Sequence, residues 1–210
     1  MILRLVCAFS LLSIAVGHAS ERASSVLAEI NFARTQPQKY AGIVEAHADR
    51  RGGDDGATRE AVAFLRRARP LPPLVRSEGI SRAALGHAQE VGSRGGSGHS
   101  SANGATPWRR MARHGQWSGY VGENIDYGNG DPRSIVISLI VDRGVRSRAH
   151  RANLFSPNFR VVGVGVAPHA NWGTMCVMNF ATSFVEAGER RVVDRVGSGL
   201  RTEYMGKSFF

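Results

Sequence analysis

The feature that most constrains this chain is a pair of apolar runs late in the sequence, separated by a short turn. Arg160-Val161-Val162-Gly163-Val164-Gly165-Val166-Ala167 reads as a strand that is mostly apolar on both faces. Pro168-His169-Ala170-Asn171 reads as a turn, and a second strand follows through Thr174-Met175-Cys176-Val177-Met178-Asn179-Phe180. Strands joined this closely pair as an antiparallel hairpin. The segments upstream carry helix signals, so the order predicts an α+β domain with helices packed on a small, mainly antiparallel sheet.

Those helix signals are mostly caps. Ser24 or Ser25 is expected to cap a helix carrying Val26, Leu27, Ile30 and Ala33 that ends before Pro37. Thr58 is expected to cap a helix through Ala61, Phe64 and Leu65, after a loop at Arg51-Gly52-Gly53-Asp54-Asp55-Gly56. Pro70-Leu71-Pro72-Pro73 breaks the chain, and Ser77 caps a helix with the stripe Ile80, Ala83, Ala84, His87 and Val91. Thr106-Pro107 opens a short helix that ends at Gly115. The run Ile135 to Val141 is β-branched enough to pass for a strand, but Asp131-Pro132 before it marks a helix start.

The ends read differently. Residues 1–19 have one charge, Arg4, then an apolar run and small residues at Gly17 and Ala19, which is the pattern of a cleaved export signal. Residues 20–186 then form one domain, and 187–210 a basic, poorly ordered tail. Nothing after the signal is long and apolar enough to span a bilayer, so the mature protein is expected to be secreted or periplasmic. Cys7 leaves with the signal, so Cys176 cannot form an internal disulfide and reads as a small buried hydrophobe.

Formal net charge is +10, or +9 once Arg4 is removed. That balance suits anionic surroundings, with local density at Arg143, Arg146, Arg148 and Arg151 as a candidate anion-binding cluster for an acidic envelope polymer. No aromatic residues interleave with it, which argues against nucleic acid.

The remaining chemistry lies between residues 98 and 153, in Gly98-His99-Ser100-Ser101, Gly122-Glu123-Asn124-Ile125, Val141-Asp142-Arg143-Gly144 and Ala149-His150-Arg151-Ala152-Asn153. Two imidazoles and two carboxylates of this kind can converge on one divalent ion, zinc above all, although the dispersed spacing does not impose it. The arginines around His150 disfavour its protonated form, which suits a ligand role, yet they repel a dication. His87 sits on an apolar stripe and reads as a core histidine, while His47, His114 and His169 read as loop or surface residues. Tyr127 is expected to line the cleft or to pack.

In order and spacing these segments resemble bacterial domains of the CAP (SCP-like) superfamily. The resemblance is carried by Gly98-His99-Ser100, Thr106-Pro107-Trp108-Arg109-Arg110, Gly122-Glu123-Asn124-Ile125, His150 to Phe155 and Pro157 to Gly165, with Leu27 to Arg34 similar to the first helix. It covers about residues 24 to 186 and implies a three-layer α-β-α sandwich. It also implies a cleft tetrad, with His99, Glu123 and His150 at matching positions and Asp142 where many members carry glutamate. Asp142 continues the stripe from Ile135 and Leu139 by one helical step, or it pairs with Arg143, Arg146 or Arg148.

Three function classes follow. The favoured one is a secreted module that binds an apolar or lipid ligand, or a protein partner, through the cleft, with a divalent metal at His99 and His150 as an option. The second is a metal-assisted hydrolase with Glu123 as base. The third is a polyanion binder using the arginine cluster.

Overall fold

A computed structural model describes residues 20–50 and 55–188; the expected export signal, the loop at 51–54 and nearly all of the expected tail lie outside the described residues. Helix α1 covers residues 20–35 and α2 covers Pro37–Arg50. They are followed by α3 (Gly56–Arg67), β1 (Val75–Arg76), α4 (Glu78–Ser93), α5 (Pro107–Met111), β2 (Gly115–Tyr127), α6 (Pro132–Val141), α7 (Ala149–Leu154), β3 (Val161–His169) and β4 (Gly173–Glu186). The sheet order is β1-β3-β4-β2, with β1 parallel to β3 and the other pairs antiparallel. The fold is α+β, as expected.

Two chemically distinct faces build three layers. Val162, Val164 and Val166 of β3, with Cys176, Met178 and Phe180 of β4, pack against α1, α2, α3 and α6. The alternate row faces α4: Met175 and Val177 meet Ala84, Ala88 and Val91, and Ala181 meets Ile80, Ala83 and Met111. On this side Gly163 and Gly165 serve close approach. A Cβ on Gly163 would overlap the backbone of Ile80 and Ser81, and one on Gly165 the backbone of Leu85. The Val-Gly alternation of β3 is therefore the imprint of α4 lying directly on the strand.

Several boundaries differ from expectation. α1 is already helical at residue 20, so Ser24 lies inside it and its hydroxyl donates to Ser20 O at 2.9 Å. Pro37 both ends α1 and opens α2, because a missing N–H costs nothing in a first turn. α3 is capped by Asp55, which accepts from the Thr58 N–H at 2.8 Å, and not by Thr58. Ser77 caps α4 and Asp131 caps α6 as expected. Thr106 makes no side-chain cap, and α5 stops at Met111. Pro168 and His169 belong to β3, so the hairpin turn is tighter than expected. The Glu123 segment, given no element from the sequence, lies in β2, a 13-residue strand.

Candidate functional site

β2 is the edge of the sheet, and successive side chains on it point to opposite layers. Glu123 faces α4, lying opposite Asn179 on β4, while Asn124 and Asp126 face α6 and α7. Gly122 lets Asn153 come close: a Cβ there would sit 3.1 Å from Asn153 Oδ1. Asn153 donates to Asn124 Oδ1 at 2.9 Å and to Glu123 O at 3.4 Å, and Asn124 Nδ2 donates to His150 O at 2.9 Å. The Gly-Glu-Asn segment thus sews β2 to α7.

His99 stands on the loop between α4 and α5, and that loop is pinned on both sides of it. Gly98 N–H donates to the Tyr127 hydroxyl at 2.8 Å, His87 Nε2 donates to Gly98 O at 3.0 Å, and Arg110 Nη1 donates to His99 O at 2.8 Å. His87 is fully buried, and burial, helped by the Arg110 charge, holds its pKa down, so it is the neutral core histidine expected. His99 Nδ1 donates to Glu123 Oε1 at 2.8 Å. Glu123 Oε2 accepts from Arg110 Nη2 at 2.5 Å and from Asn179 Nδ2 at 2.6 Å. Burial pushes the Glu123 carboxyl up, but His99, Arg110 and Asn179 outweigh it, and the group is held below its ordinary value.

The second pair forms on the other side of β2. Asp142 ends α6 in a left-handed conformation (φ 53°), and the chain folds back through Arg148, also left-handed, into α7. The Asp142 carboxylate accepts from His150 Nδ1 at 2.6 Å, from the His150 N–H at 2.9 Å and from the Arg151 N–H at 3.4 Å. Both acids are nearly enclosed, at 2% side-chain exposure each, whereas His99 is 39% and His150 24% exposed. In its neutral form each ring then carries its lone pair on Nε2, which has no hydrogen-bond partner among the described residues.

A cavity of about 610 Å³ opens between α2, α3, α6, β2 and the loop leading to α7. Val44, Ile137, Leu139, Val141 and Val145 give it apolar wall; Asp126, Asn129, Ser134, Ser138, Asp142 and His150 line its polar part. His99 and Glu123 are not on that wall. The four expected residues thus form two His–acid pairs, of which Asp142–His150 lines the cavity.

The sequence model of the CAP family, described as the cysteine-rich secretory protein family, matches residues 44–180.

The chain belongs to the CAP family.

Among curated proteins none matches the chain. Solved structures similar to it include an extracellular SCP-domain protein of Bacillus anthracis, with 23% identity and TM-score 0.45, covering 60% of this chain and 40% of that one. An outer surface protein of Borrelia burgdorferi has 18% identity and TM-score 0.45, covering 53% of this chain and 78% of its own. A cysteine-rich secretory protein of Staphylococcus aureus has 17% identity and TM-score 0.40, covering 54% and 33%. This chain thus spans less than half of the Bacillus and Staphylococcus proteins.

In this CAP domain the donor set does not fit a closed four-ligand metal site. The oxygens of Glu123 and Asp142 already accept from histidine, arginine, asparagine and backbone donors, which leaves only two Nε2 atoms. Among the described residues no three His, Cys, Asp or Glu side chains cluster as ligands for one ion.

The arginine cluster is also corrected. Arg143 pairs with Asp55 at 2.5 Å, and Glu60 takes Arg148 at 2.6 Å and Arg151 at 3.0 Å. Arg151 is buried over the Phe64 ring and donates to Ile140 O at 2.5 Å. Of the four, Arg146 is the one exposed cation with no ion pair among the described residues. Three of the four are therefore ion-paired within the fold, Arg151 is buried, and Arg143 and Arg146 remain exposed.

His169 is buried, not a surface residue: Nε2 donates to Gly96 O at 2.7 Å and the ring stacks on Trp172. His47 lines the cavity. Asp126 is the residue that sequence reading missed. It is 4% exposed, opposite Cys176, with Asn129 Nδ2 donating to both oxygens at 2.9 and 2.8 Å. Burial lifts its pKa to about 6 against those donors. The available signal was its place two residues after Asn124, hence on the same inward row.

Proposed function

We propose that this chain is an exported CAP domain that binds a small amphipathic ligand in the cavity beside β2, with the Asp142–His150 pair at its polar end. The observation that carries this reading is the cavity itself: about 610 Å³ falls within the range of small-molecule sites, and apolar walls meet a few fixed polar groups. Both Asp142 oxygens are occupied, so His150 meets a ligand as an oriented ring with Nε2 available. Export rests on the signal pattern of residues 1–19. The expected zinc has only the two Nε2 atoms to bind, and ligand binding does not depend on it.

The test uses octan-1-ol as a neutral probe in calorimetric titration. Saturable one-to-one binding is expected for the wild type and is lost in Val145→Trp, which fills the cavity from its loop. No binding, or binding that survives the filled cavity, removes the proposal. Intact mass of the protein from the producing cell checks export, with cleavage expected after Ala19.

A further inference from the structure

The cavity wall has a charge character opposite to that of the whole protein. The chain carries +10. Among the described residues on the wall, however, the carboxylates are Asp55, Asp126 and Asp142, and the lone guanidinium is Arg143. Arg143 is spent on Asp55 at 2.5 Å, and Asp142 is spent on His150 and two backbone amides.

Asp126 differs from the other two. It is enclosed, and among the described residues it has no ion pair; its donors are the Asn129 side-chain amide and backbone N–H and the Ser138 hydroxyl, with His150 close enough to act on it through charge. These donors already supply about the four hydrogen bonds a carboxylate accepts, so a cation in the cavity meets Asp126 through its charge. A buried carboxylate satisfied by neutral donors alone is costly, and a cation arriving in the cavity relieves that cost. An anionic head would meet the opposite situation, facing Asp126 and Asp142 with no uncommitted guanidinium on the described wall.

Resting on the proposal that the cavity binds a ligand, we infer that the ligand is an amphipathic amine, whose ammonium head pairs in charge with Asp126 and whose apolar body lies along Val44, Ile137 and Val141. This class is distinct from the anionic polymers that the overall charge would favour. The overall charge also sharpens the test, because it draws carboxylates and repels amines, so a preference for the amine must be local.

Octylamine, octan-1-ol and octanoate are titrated separately into the wild-type protein at about pH 7.5 and about 0.15 M salt. Octylamine is expected to bind about tenfold tighter than octanoate, the scale of one partly screened charge pair. In Asp126→Asn, checked for folding by thermal melting, the ratio of octylamine to octanoate affinity is expected to fall to near one. If the variant fails to fold, the wild-type comparison decides alone. Octanoate binding as tightly as octylamine overturns the inference and leaves ligand binding standing. An amine preference that survives Asp126→Asn overturns the role of Asp126. If none of the three probes binds, the ligand-binding proposal falls and this inference falls with it.

Discussion

Asp126 also makes a measurable prediction about the folded state without any ligand. Its carboxyl is raised from 3.8 to about 6, chiefly by burial. A folded-state pKa above the unfolded one means that folding favours the protonated form. The associated stability is therefore complete below about pH 4 and is lost progressively as the pH rises through about 6. The shift is about two units at about 1.4 kcal/mol each, so ionised Asp126 costs the fold about 3 kcal/mol at neutral pH relative to acid. Asp126→Asn keeps the shape and removes the ionisation. Urea unfolding of both proteins at intervals from about pH 4 to about pH 8 isolates this group, because contributions shared by the two proteins cancel in the difference. The variant is expected to gain about 3 kcal/mol on the wild type between about pH 4 and about pH 7, on top of any constant offset. A difference that is flat across that range would show that Asp126 is not buried as described.

Glu123→Ala leaves the buried Arg110 guanidinium without its carboxylate, and denaturant unfolding is expected to show a loss of about 3–5 kcal/mol. Because the Glu123 carboxyl is held below its ordinary value, its stabilising contribution is present at neutral pH and is lost in acid; the variant should lack that part of the acid transition. Two glycine substitutions, one at the α4–β3 contact and one on the exposed face of α4, should diverge. Gly165→Ala drives a Cβ into the α4 backbone and is expected to cost about 3 kcal/mol or more, whereas Gly86→Ala, inside α4 with open space at its Cβ, should stabilise by up to about 1 kcal/mol. Thermal melting of the pair checks the placement of α4, and equal effects would contradict it.

What was legible in the sequence was what neighbouring residues decide. Ser77 and Asp131 cap their helices through amides three residues on, and the β3–β4 hairpin closes over a short turn, so each was readable locally. β2 was not, because its row facing α4 runs Val121, Glu123, Ile125 and Tyr127. A buried acid in that row hides the alternation unless its partners are known. Those partners, Arg110 and Asn179, lie 13 and 56 residues away.

The same reasoning accounts for the arginine cluster and for the pairing at the site. Four arginines within nine residues look like a patch when their counter-ions are out of view. Glu60 and Asp55 come from the start of α3, and Glu60 is separated by 88 residues from Arg148 and 91 from Arg151. Three of these arginines thus anchor, through Asp55 and Glu60, the loop that carries Asp142 and His150. Asp126 is the converse case: an unremarkable acid in sequence becomes a buried carboxylate with no counter-ion among the described residues once α6 closes over β2. Side chains such as Arg148, Arg151 and Glu60, whose charges are matched inside the fold, hold the loop in place, whereas Asp126, with no ion pair among the described residues, faces the cavity. On electrostatic grounds, then, the choice of ligand at this site should follow Asp126 and not the net charge of the chain.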